Sequence, residues 1–74
     1  MGDIRTTTTI PQAPTGRILT AAGAERVSAD AMAAFSQVLH SLGLKLSQRA
    51  AEISKHAGRK TIQESDIRLA ARQI

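Results

Sequence analysis

Residues 29 to 57 carry one apolar stripe at helical spacing without interruption, and this feature limits what the rest of a 74-residue chain can do. Taking 100° per residue from Phe35, positions Ala31, Val38, Leu39, Leu42, Leu46, Ala50, Ile53 and Ala57 fall within about 60° of one line. Gly43 interrupts the segment chemically, and a mid-helix glycine costs roughly 1 kcal/mol. A hairpin there would have no reason to keep the stripe in phase on both sides, so the pattern predicts one helix from Ala29 to about Ala57. Such a helix, about 29 residues, is about 43 Å long, whereas a compact globule of about 60 residues is about 27 Å across. The helix outreaches the domain it belongs to. A second copy of the same chain crossing it is the economical cover, which makes an obligate homodimer the expectation.

The flanks punctuate this helix on both sides. Ser28 supplies an N-cap oxygen and Asp30 a first-turn negative charge, while Gly58 is a stop. Upstream, Pro14 suits the first position of a short helix running to Ala22, with Ile18, Leu19 and Ala22 inward and Gly23 as its stop. Downstream, Arg59 to Ile62 reads as extended and Gln63 to Gln73 as a third helix with Ile67, Leu69 and Ala70 inward. Its start is either a Thr61-x-x-Glu64 capping box or a cap at Gln63. Residues 1–13, with Thr6 to Thr9 in a row and Pro11 just after, read as a flexible arm, and residues 14–74 as one all-α domain. Met1, Gly2 and Thr6 fit a myristoylation pattern too short to carry weight.

Composition removes several function classes. With no cysteine there are neither disulfides nor thiolate-held zinc. His40 and His56 lie sixteen residues apart with no clustered third ligand, so no metal site is expected. A Gly-rich phosphate loop, an H-E-x-x-H pair and a cysteine nucleophile are all missing, so neither an enzyme, a cofactor nor a small-molecule substrate is expected. Phe35 is the sole aromatic residue, which leaves no stacking platform for single-stranded bases. No run of 18 apolar residues or signal-peptide core occurs, so the chain is expected to be soluble and cytoplasmic. Ten Lys and Arg against six Asp and Glu give +4 and favour a polyanionic partner. Membrane binding by the long helix is disfavoured, because its apolar face is needed for the dimer and its polar face is rich in Ser and Gln rather than Lys.

Three blocks, IPQAPTGRI, AGAERVSADA and HAGRKTIQESDIRLA, in this order between Ile10 and about Arg72, resemble the archaeal histones. The resemblance implies a histone fold of short, long and short helices, whose chains clasp as an intertwined handshake homodimer with Phe35, Val38, Leu39, Leu42, Leu46 and Ala50 in the dimer core. It implies a chromosomal architectural protein, nucleoid-associated, that wraps, bends and compacts double-stranded DNA with little base specificity. The DNA-binding residues would be Arg17, Arg26, Lys60 and Thr61, with Arg26 of one chain beside Lys60 and Thr61 of the other. Arg59 and Asp66 would pair within a chain. Ile53, His56, Asp66 and Leu69 would join dimers into tetramers or larger assemblies on DNA, and Gly23 would let superhelical turns approach. A paralogue is a possible heterodimer partner. Where relatives often carry Glu and Lys on the outer face of the long helix, this chain has Gln37, His40, Ser41, Leu44 and Gln48, so dimers and tetramers are expected ahead of tightly closed filaments. The alternative is a histone-fold dimerisation module of a transcription-factor complex.

Overall fold

The long helix is continuous through Gly43. The structure, a computed structural model, describes residues 10–74; the threonine run at Thr6 to Thr9 and the Met1-Gly2 pattern lie outside the described residues. Three helices form: α1 (Gln12–Ala21), α2 (Ala29–His56) and α3 (Glu64–Arg72), and among the described residues no strand occurs.

Each boundary has a local cause. Ser28 Oγ accepts the N–H of Ala31 at 3.0 Å and starts α2. At its end the N–H of Gly58 donates to Lys55 O at 2.9 Å and that of Arg59 to Ser54 O at 3.0 Å, the paired bonds of a Schellman stop. Gly58 sits at φ +74° for this purpose. The same pair closes α1, from Gly23 to Thr20 O at 3.0 Å and from Ala24 to Leu19 O at 3.1 Å, with Gly23 at φ +121°. A Cβ on Gly58 would meet nothing within 4 Å, so Gly58→Ala incurs the left-handed backbone penalty alone, about 1–2 kcal/mol. Thermal denaturation of G58A should show that loss, and Gly58→Asn should recover part of it, because asparagine tolerates this conformation.

Two boundaries differ from the sequence expectation. α1 begins at Gln12 with Pro11 as its N-cap, taking in the last two residues of the segment read as an arm and putting Pro14 third in the helix rather than first. Proline is tolerated throughout the first turn, where N–H groups lack intrahelical partners, so its presence does not fix the starting residue. The capping box of α3 is Gln63 with Asp66, not Thr61 with Glu64. The carboxylate of Asp66 accepts the Gln63 N–H at 2.8 Å, while Glu64 turns along the helix to Arg68 Nε at 2.8 Å.

The chain divides into two compact units at Ser41 and Leu42. In the first, described from residue 10, the buried side chains are hydroxyls. Thr15 Oγ1 donates to the carbonyl of Gln12 and lies 3.3 Å from that of Met32, and Ser36 Oγ donates to that of Ile10. A Cβ at Gly16 would stand 2.6 Å from Met32 Sδ, so the glycine lets α1 close on the start of α2. In the second unit, Leu42–Ile74, Ala50 and Ala70 are fully buried beside Ser54 and Asp66.

Those two alanines are the whole apolar core among the described residues. Of the side chains expected inward on α1 and α3, Ile18, Ala22, Ile67 and Leu69 are exposed and Leu19 is half-buried. On the α2 stripe Val38 and Leu42 are open to solvent, and Phe35, Leu39 and Leu46 are half-buried. Caps and hydroxyl latches therefore define the helices of a single chain, while most of its large apolar side chains remain uncovered.

Candidate nucleic-acid interface

Arg17 and Arg26 line a single groove of about 800 Å³ in the first unit. Arg17 comes from the middle of α1 and Arg26 from the connector before α2, and the close α1–α2 approach at Gly16 and Met32 forms the groove wall. Glu25 lines the same groove, a carboxylate that opposes any anion held by the two arginines. Sequence reasoning did not single it out, although its place beside Arg26 was visible.

Lys60 and Thr61 are held out to solvent by a network in the second unit. Ser54, 3 % exposed on the last turns of α2, donates to the carbonyls of Thr61 at 3.0 Å and Arg59 at 3.3 Å. Arg59 Nη1 also donates to Thr61 O, at 3.0 Å. The guanidinium grips Asp66 with two bonds, Nη1 to Oδ2 at 2.9 Å and Nη2 to Oδ1 at 2.8 Å. Through Asp66 the loop is tied to the start of α3, so the backbone at Lys60 and Thr61 is fixed while their side chains stay free for a ligand. Ser54 was also missed. A lone serine on a long helix reads as polar surface, and its only signal was a position seven residues before Thr61.

The electrostatics follow from these contacts. The Arg59 hydrogen bonds, followed by the Gln63 N–H, hold the Asp66 carboxyl at about 2 against a smaller upward push from burial. Asp66 in turn raises the Arg59 pKa. Because the folded-state pKa of Asp66 lies below the ordinary value of about 3.9, its contribution to stability is fully present above that value. It is lost as pH falls from there through about 2. Asp66→Asn should lower the melting temperature at neutral pH and flatten the acid limb of the stability curve below about pH 4. Melts followed by circular dichroism at steps between pH 7 and pH 2 would show both effects, and an acid limb as steep as in the unsubstituted chain would contradict them.

The remaining expected positions are distributed as follows. Asp66 is 2 % exposed, and its three contacts leave room for about one more hydrogen-bond donor. His56 and Leu69 are exposed, and Ile53 is half-buried. A Cβ on Gly23 would meet nothing within 4 Å. Among the described residues no group of three His, Cys, Asp or Glu could hold a metal ion, and no helix is long and apolar enough to cross a membrane.

Comparison with known proteins gives a consistent result. Residues 8–71 match the family model described as histone-like transcription factor (CBF/NF-Y) and archaeal histone. The chain is 43 % identical over 63 residues to the archaeal histone HAN1 of Thermococcus zilligii, covering 85 % of this chain and 94 % of the relative. It is 40 % identical, with the same coverage, to probable archaeal histone 3 of Methanocaldococcus jannaschii.

Proposed function

Because the chain belongs to the family of histone-like transcription factors and archaeal histones, we propose that it is a DNA-binding chromosomal architectural protein that wraps and compacts double-stranded DNA. Its order of short, long and short helix is the histone fold of that family, which is non-enzymatic. The observation that carries the reading is the pairing of Arg17 with Arg26 on one groove and the presentation of Lys60 and Thr61 on a clamped loop. Cations and hydroxyls in these places suit phosphates, which fix a duplex without reading its bases. The alternative of a transcription-factor module leaves those cations without a use.

The active form in this proposal is a homodimer in which the open stripe of Phe35, Val38, Leu39, Leu42 and Leu46, with Ala50, faces a second copy. Arg26 then lies beside the partner's loop. Dimers join through Ile53, His56, Asp66 and Leu69, and Gly23 leaves space for successive turns. The domain is the segment read as 14–74, widened by the first turn of α1 to Gln12. Its place is on the chromosome in the cytoplasm, and it has no catalytic role.

Nuclease digestion of complexes reconstituted on mixed-sequence duplex tests the function. Protected fragments of discrete length are expected, with sequence preference set by bendability. Digestion to the pattern of naked DNA at saturating protein would end this reading.

A further inference from the structure

We propose that Lys55 is a further phosphate-binding residue that acts with Lys60 on one site, an assignment that rests on the DNA-binding reading above. The motivation is the uneven distribution of charge along the chain. Residues 1–41 hold three Lys and Arg against three Asp and Glu, and residues 42–74 hold seven against three, so the whole net charge of +4 belongs to the second unit. Each of the three carboxylates there is already held by an arginine: Glu52 by Arg49, Glu64 by Arg68 and Asp66 by Arg59. Lys45, Lys55, Lys60 and Arg72 are left with no ion pair among the described residues.

Two of these four share a concavity. A cavity of about 270 Å³ under the loop is lined by Ala51, Ser54, Lys55, Arg59, Lys60 and Ile62, with no carboxylate. Arg59 is committed to Asp66 and Thr61, and the Ser54 hydroxyl to the loop carbonyls. The uncommitted polar groups are therefore two lysine ammoniums, beside walls supplied partly by Ala51 and Ile62. Like charges gathered at a concave, partly apolar surface repel each other and focus a positive potential, and a bound anion relieves both effects. A duplex already held at Lys60 brings further phosphates to the same place, and a lysine meets them as a mobile point charge. The groove of Arg17 and Arg26 differs, since Glu25 offsets part of its charge.

A simpler role for Lys55 is to offset the dipole at the end of α2, where His56 also sits. That role would alter melting temperature and leave the salt dependence of DNA binding unchanged, so the two can be separated. Affinity of the full chain for a mixed-sequence duplex should be measured across a salt series for the unsubstituted protein and for K55Q, K55R, K60Q and K45Q. Both K55Q and K60Q should reduce the slope of log affinity against log salt by about 0.9 per chain. K55R, which keeps the charge, should retain the full slope, as should K45Q, whose lysine does not line the cavity. A full slope for K55Q beside a reduced one for K60Q would overturn the assignment while leaving the loop reading intact. A full slope for both would overturn the loop reading and this inference together.

Discussion

Replacing Arg17, Arg26 and Lys60 together with glutamine should abolish most of the salt dependence of DNA binding and lower affinity at 50 mM salt by about a thousandfold. In a dimer the three cations of each chain make about six phosphate contacts, for which log affinity falls against log salt with a slope of about −5. The same slope costs the unsubstituted protein roughly a thousandfold between 50 and 200 mM salt. None of the three side chains takes part in a hydrogen bond or ion pair among the described residues, so their loss should leave helix content intact. Arg49, Arg59 and Arg68 hold carboxylates, and substituting them would confound binding with stability. The measurement is therefore a salt titration by fluorescence anisotropy beside far-ultraviolet circular dichroism. If the triple variant kept the original affinity and slope, these residues would not be the phosphate grip.

The parts of this molecule that repeat were legible in the sequence, and the parts that depend on one contact were not. The course of α2 through Gly43 was readable because eight stripe positions agree in phase with Phe35 over the whole helix, so one weak residue could not reverse the conclusion. Ser28, Gly23 and Gly58 were readable because their chemistry is suited to few other places. The start of α1 was not, since proline is indifferent among first-turn positions. The box at Gln63 and Asp66 was hidden because Glu64 could cap or pair along the helix, and the reach of Arg68 decides it. Arg59 and Asp66 came from family likeness; the bidentate geometry and its link to Ser54 through Thr61 required coordinates. Burial was misjudged for Ile18, Ala22, Ile67 and Leu69 because an amphipathic pattern says which face seeks cover but not whether its own chain provides it.

That distinction leads to the second large effect, a comparison of Leu42→Asp with Leu44→Asp. Both leucines are 46 % exposed in the single chain, so burial within it assigns them the same importance. Their phases differ: Leu42 lies on the stripe, and Leu44, nine residues from Phe35, points to the opposite side of α2. If a second copy covers the stripe, L42D removes a packed leucine, worth about 2–5 kcal/mol, once in each chain. It also buries a carboxylate without a partner, at a further cost of several kcal/mol per ion. The sum reaches the total stability of an ordinary small protein, about 5–15 kcal/mol, so L42D should be unfolded or unable to dimerise at micromolar concentration. L44D should stay within about 0.5 kcal/mol of the original chain, as exposed substitutions usually do. Sedimentation and circular dichroism on the two variants separate these outcomes. Equal behaviour would mean that the stripe faces solvent in the working protein, and the homodimer would lose its physical basis.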